Sequence, residues 1–189
     1  TASTGNHAHA CACLFDHLNI DGTIYVPETV SPSKLEQLQS YGVCLKKHGK
    51  DCVETELFAK GAAEEQGAAY ISPYNDPAVI AGQGTVGMEL AAEGSFDRVL
   101  VPVGGGGLIS GISIVLKNRW PNIKITGCQP RNSPVMAASV KAGRVVELES
   151  QPTLSDGTAG GIEPESITLD ICSSLVDDFI LVTEEEISA

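Results

Sequence analysis

The chain of 189 residues contains no run of about 18 apolar residues, and its N-terminus lacks the basic, apolar, small-residue order of a secretory signal. A membrane-spanning helix is excluded, and a cytoplasmic setting is the expectation. Positive charge is scarce: 12 Lys and Arg stand against 24 Asp and Glu, giving a formal net charge of -12, and the basic residues are scattered rather than striped. That balance excludes the clustered cations that nucleic acid or an anionic membrane surface would need. The six cysteines (Cys11, Cys13, Cys44, Cys52, Cys128, Cys172) form no C-x-x-C pair and no zinc spacing, so buried, reduced thiols are expected. His7, His9, His17 and His48 likewise lack metal spacing. No G-x-x-x-x-G-K-[ST] occurs, which removes the P-loop nucleoside triphosphatases. There is no internal repeat, no low-complexity tract and no initiator methionine.

What is present is 42% hydrophobic residues, enough for a core, in short segments whose periodicity alternates. Cys11, Leu14, Phe15 and Leu18 mark an amphipathic helix from Ala8 to about Asn19, and Thr23 to Val26 reads as a strand. Ser31-Pro32 opens a helix carried by Leu35, Leu38 and Tyr41 to Gly42. A strand near Val43 to Lys46, a helix from about Asp51 to Gly67 and a strand at Ala69 to Ile71 follow. A helix after Asp76-Pro77 runs to about Gly94. Arg98 to Val103 is a nearly unbroken apolar run, the mark of a strand covered on both faces. Beyond it come a helix to about Asn118, a strand at Ile123 to Cys128 and a helix from Ser133 to Gly143. Gln151 to Glu165 reads as a loop, Ile167 to Leu175 as a helix and Phe179 to Val182 as a strand. Thr183 and Glu186 form a capping box. The expected fold class is α/β with open, twisted, mostly parallel sheets and helices on both faces. A small open-sheet domain over 1–72 and a larger one over 73–189 are expected, with a ligand cleft at their junction.

Two loops carry chemistry. Gly104-Gly105-Gly106-Gly107 follows the apolar strand and opens a helix. Bare backbone there can converge its N-H groups on an anion, and a phosphate-bearing ligand is the natural occupant. Gly82-Gln-Gly84-Thr-Val-Gly87 formally matches the dinucleotide fingerprint G-x-G-x-x-G. The match lacks the acid at the end of the following strand that would hold a ribose, so an NAD site is not expected. Ser3-Thr4-Gly5-Asn6-His7, at the first helix, offers hydroxyls, an amide and free N-H groups suited to a carboxylate; a plain N-cap is the alternative.

Together these loops resemble the fold-type II pyridoxal-phosphate enzymes, in particular the threonine dehydratase and serine racemase group. Ser3-Thr-Gly-Asn-His-Ala8 is similar to the asparagine loop of that group, and Gly104-Gly-Gly-Gly-Leu108 to its tetraglycine phosphate cup. Asp76-Pro-Ala-Val-Ile-Ala-Gly-Gln-Gly-Thr85 and Leu154-Ser-Asp-Gly157 match in order and spacing. The resemblance spans essentially the whole chain and places Gly82 within a helix common to the group. It implies pyridoxal 5'-phosphate held by Gly104, Gly105, Gly106, Gly107 and Leu108, with Asn6 at the 3' oxygen and Tyr74 beside the ring. Ser3, Thr4, Gly5, Asn6 and His7 would grip the carboxylate of a small amino-acid substrate, with Gly157 near its side chain. The implied reaction is β-elimination from serine, threonine or an analogue to a keto acid and ammonia, and the implied assembly is a homodimer.

Four departures qualify these implications. The lysine that binds the cofactor covalently in this group lies upstream of the asparagine loop, where this chain starts, and none of its eight lysines has a matching context. The small polar residue beside the pyridine nitrogen lies past Ala189. The expectation is therefore a piece of a longer enzyme, itself close to inactive. Thr4 stands where racemases carry a serine as acid/base; its methyl restricts χ1, so racemisation is expected less than elimination. Gln129 stands where some members carry a metal-binding carboxylate, so no metal is expected there. A non-catalytic module that keeps the phosphate cup is the alternative from another class.

Overall fold

The computed structural model describes all 189 residues, which divide into two compact units, Thr1–Pro73 and Tyr74–Ala189. The first unit holds α1 (Asn6–Leu18), β1 (Thr23–Val26), α2 (Pro32–Gln39), β2 (Cys44–Lys47) and α3 (Cys52–Gln66). β1 and β2 pair in parallel, with Thr23 opposite Cys44 and Val26 opposite Lys47. Helix starts obey local chemistry. The Ser31 hydroxyl accepts from Lys34 N-H at 3.4 Å with Pro32 as the first helical residue, and the Asp51 carboxylate accepts from Glu54 N-H at 2.9 Å. Ala8, Cys11 and Ala12 of α1 pack on Ile24, Val26 and Leu38 to form the core of this unit.

Three expectations fail here. Ala69 to Ile71 is not a strand, because both sides of β1 are taken: β2 pairs on one side, and Thr1–Ser3 on the other. Tyr25 N-H donates to Thr1 C=O at 2.9 Å and Ser3 N-H donates to Tyr25 C=O at 3.1 Å. Residues 69–71 are left to pack through side chains, Tyr70 beside Tyr25 and Ala59 and Ile71 beside the α1 core. Helix α2 stops at Gln39 rather than Gly42, since Tyr41 and Gly42 N-H fall back to carbonyls three residues earlier and Gly42 turns to φ 69°. The thiols also divide. Cys11 and Cys172 are buried, but Cys13 and Cys44 are exposed; Cys13 is two residues from Cys11 and so points off the opposite side of α1.

The second unit holds α4 (Pro77–Glu93), β3 (Arg98–Pro102), α5 (Gly107–Arg119), β4 (Lys124–Pro130), α6 (Val135–Ala142), α7 (Ile167–Leu175), β5 (Asp178–Val182) and α8 (Glu184–Ser188). Its three strands run parallel in the order β3-β4-β5. Asp76 accepts from Ala78 and Val79 N-H to start α4, and Thr183 with Glu186 closes the capping box of α8. Val101, Val103, Ile125, Ile109 and Leu116 form the core. The β3 run is not buried on both faces as expected. Val101 and Val103 face α5 and the core, whereas Leu100 points to the other side and is 56% exposed.

Helices α4 and α5 share the most extensive contact between elements of the chain, and the formal dinucleotide match sits inside it. A Cβ on Gly84 would lie 3.3 Å from Val115, one on Gly87 would lie 3.0 Å from it, and one on Gly111 would lie 2.5 Å from both Gly84 N and Ile80 O. Two of the three matching glycines serve helix packing in mid-helix, so no nucleotide turn exists there.

Candidate functional site

The glycine loop is built from the sheet outward. Val103 N-H bonds Cys128 C=O at 2.9 Å, which extends β3 pairing to the residue before Gly104. Gln129 stabilises this corner: its amide donates to Val103 C=O at 3.1 Å and accepts from Ala137 N-H at 2.8 Å, with the side chain fully buried. Both ends of Gln129 are thus committed to holding β3, β4 and α6 together.

Gly104 to Gly107 then cross from β3 into α5. Gly106 is the N-cap, with φ 90° and no side-chain cap bond. The chain behind the loop leaves no room for side chains. A Cβ on Gly104 would stand 3.3 Å from Thr158 Cα, one on Gly105 would stand 2.3 Å from the Tyr74 ring, and one on Gly106 would stand 2.7 Å from Met136 Cε. One side of the loop is therefore packed, and the other offers only backbone. The first-turn N-H groups of α5 have no carbonyl one turn back, and the N-terminal partial positive charge of a helix of 13 residues adds to them. Backbone N-H groups at a helix start with no side chain over them suit an anion, and the chemistry of this loop fits the phosphate end of pyridoxal phosphate.

Tyr74 takes a supporting place. Its ring lies under Gly105, and its hydroxyl accepts from Glu163 N-H at 2.8 Å. Asp156–Thr158 form a short 3-10 turn, pinned by Thr158 N-H to Ser155 C=O at 3.0 Å, and Gly157 C=O lies close to Gly104. Sequence reasoning missed Asn75, Glu163, Ser166 and Thr168, which brace the same loop. The only local signal was polar residues flanking a helix start, which caps also produce.

The asparagine loop belongs to the first unit. Gly5 is the N-cap of α1 and makes no side-chain cap bond, so the plain N-cap alternative does not describe it. The Ser3 hydroxyl instead accepts from Gly5 N-H at 3.2 Å, leaving its own proton to donate. A Cβ on Gly5 would meet nothing within 4 Å, and Asn6 is exposed, so the mouth of α1 is open. Thr4 is half-buried beside it. His7 turns its ring inward: Nε2 lies 2.9 Å from Thr1 Oγ1 and 3.5 Å from Cys11 Sγ. Burial holds that imidazole below its usual pKa, and burial raises the pKa of the Cys11 thiol. The ring is occupied, so what His7 offers a ligand is its main-chain N-H.

Comparisons with known proteins place the chain in a family. The family model described as pyridoxal-phosphate dependent enzyme matches residues 1–189. The catabolic L-threonine dehydratase of Staphylococcus aureus is 42% identical over 187 residues, which cover 98% of this chain and 54% of that protein. The L-threonine ammonia-lyase of Thermotoga maritima is 39% identical over 188 residues, covering 99% of this chain and 47% of that one. The structure of maize serine racemase superposes with a TM-score of 0.87 at 34% identity, covering 97% of this chain and 56% of that chain. The chain spans about half the length of the curated relatives it matches. With an α/β fold of parallel sheets and a glycine cradle opening α5, the chain belongs to the pyridoxal-phosphate dependent enzyme family.

Proposed function

We propose that this chain forms the cofactor-holding and carboxylate-holding part of an ammonia-lyase that dehydrates threonine or serine to a keto acid and ammonia. The observation that carries the reading is the Gly104–Leu108 cradle, packed on one side and bare backbone on the other. In this reading the N-H groups of Gly104 to Leu108 hold the phosphate, and Asn6 contacts the 3' oxygen. When bound, pyridoxal phosphate supplies an electron sink for the pair left on the substrate Cα as its proton departs.

The chain's own residues position the substrate. The Ser3 hydroxyl and the N-H groups of the first turn of α1 hold its carboxylate, at a helix end whose dipole favours the anion. Thr4 stands at the same mouth, and Gly157 borders the loop that meets the substrate side chain. Support comes from the relatives named as threonine dehydratase and ammonia-lyase.

Serine racemase is the second reading, favoured by the superposition on the maize structure. Thr4 favours dehydration over it, because the methyl group restricts the rotation a two-face proton donor needs. The test is to supply the protein carrying these residues with L-threonine and L-serine, measuring 2-oxo acid and D-serine together. Oxo acid in excess supports dehydration, D-serine in excess supports racemisation, and neither product overturns both.

A further inference from the structure

We infer that Thr168 is a positioning residue of the glycine cradle: its hydroxyl turns the Gly105-Gly106 peptide so that the Gly106 N-H faces the phosphate. The inference rests on the reading of Gly104–Leu108 as a phosphate cup. Thr168 is fully buried at the second position of α7, and its hydroxyl donates to Gly105 C=O at 2.6 Å. In a planar trans peptide the C=O and the following N-H point in opposite directions. Drawing Gly105 C=O inward to Thr168 therefore directs Gly106 N-H outward, to the bare side of the loop. Glycine has no side chain to fix this choice, and Gly106 at φ 90° has wide backbone freedom, so an external restraint is needed.

The restraint is itself braced. The Ser166 hydroxyl lies 2.8 Å from Thr168 Oγ1; with the Thr168 proton committed to Gly105, Ser166 is the donor. Asn75 ties the segment in place, accepting from Ile167 N-H at 3.0 Å and donating to the buried Glu163 carboxylate at 3.1 Å. Tyr74, next in sequence, accepts from Glu163 N-H and packs under Gly105. Residues 163–168 thus form a strap that grips the loop from Gly105 C=O and from the Tyr74 ring.

The test compares binding of pyridoxamine 5'-phosphate with that of pyridoxamine by calorimetry, on the unaltered chain and on Thr168→Val and Thr168→Ser. Both ligands lack the aldehyde, so surface lysines cannot capture them. Thr168→Val keeps the shape and removes the hydroxyl. It is expected to weaken the phosphate ligand about tenfold while leaving pyridoxamine within twofold, a size typical of one lost hydrogen bond. Thr168→Ser restores the hydroxyl and is expected to recover affinity to within about threefold. Unchanged phosphate affinity in Thr168→Val, an equal loss for both ligands, or no recovery in Thr168→Ser overturns the inference. Should Thr168→Val fail to fold, Ser166→Ala is read the same way, with a phosphate-specific loss of about threefold in support and no such loss against. If the unaltered chain binds neither ligand, the cup reading fails and this inference with it. A failure confined to the variants leaves the cup standing.

Discussion

Replacing Gly111 by alanine tests the account of the α4/α5 contact quantitatively. A Cβ at Gly111 would sit 2.5 Å from Gly84 N and 2.5 Å from Ile80 O, about 1 Å short of the roughly 3.5 Å contact optimum. Both obstructing atoms are backbone of α4, so neither can rotate away, and the helices must part. Overpacking of this kind costs about 1–3 kcal/mol, and the rigid obstruction places Gly111→Ala near about 3. Alanine returns about 1 kcal/mol through its better helix propensity, leaving a net loss of about 2 kcal/mol. Gly82→Ala is the control: nothing lies within 4 Å of its Cβ, so the same change in α4 should stabilise by about 0.4–1 kcal/mol. Trp120, the single tryptophan, packs against the core of the second unit, so its fluorescence in urea follows that unit. With m near 2 kcal/mol/M, Gly111→Ala should lower the midpoint by about 1 M, and Gly82→Ala should raise it slightly. If Gly111→Ala is no less stable than Gly82→Ala, the close approach of the helices is wrong.

The remaining predictions concern charge, thiols and the cradle. Burial alone would raise the pKa of Asp177, but hydrogen bonds from Lys117, Ile125 N-H and Lys124 outweigh it and hold the carboxyl well below its usual range. That stability is present above about pH 4 and is lost as pH falls through the depressed folded pKa, so Asp177→Asn should cost about 1–2 kcal/mol at pH 7, and its deficit against the parent should shrink progressively as pH falls below about 4. His7, kept neutral by burial, should make the first unit lose stability as pH falls below about 6.5, where the unfolded imidazole takes up a proton; the His7 NMR titration should show a midpoint below that value. With a thiol reagent, exposed Cys13 and Cys44 should react first, whereas Cys172, pushed up to about 11 by burial, should react only on unfolding. Gly105→Ala should displace the Tyr74 ring and weaken binding of a phosphate ligand by tenfold or more, measured by calorimetry.

Much of this fold is written in local signals. Helix starts at Ser31, Asp51 and Asp76 could be read because a side-chain oxygen caps within a few residues, joined at Ser31 and Asp76 by a following proline. The glycine cradle was legible because four consecutive glycines between strand and helix have few other uses. What could not be read depends on partners distant in sequence. Ala69 to Ile71 has strand propensity, but Thr1–Ser3 occupies the only remaining side of β1. Leu100 looked buried because its run is apolar, and composition does not say which face of a sheet this chain covers. Thr168 lies 63 residues from the carbonyl it holds, and its role follows only from the three-dimensional contact. The G-x-G-x-x-G match shows the converse: the same spacing that suits a phosphate turn also clears one face of a helix for a close neighbour.

The central claim is that Gly104 to Leu108 hold a phosphate, and amide NMR during titration with pyridoxamine 5'-phosphate tests it most directly. The account predicts saturable shifts centred on the amides of Gly104 to Leu108, absent when pyridoxamine lacking the phosphate is titrated instead. Shifts centred on Gly82 to Gly87, or no saturable shifts in the Gly104 to Leu108 amides, would contradict it.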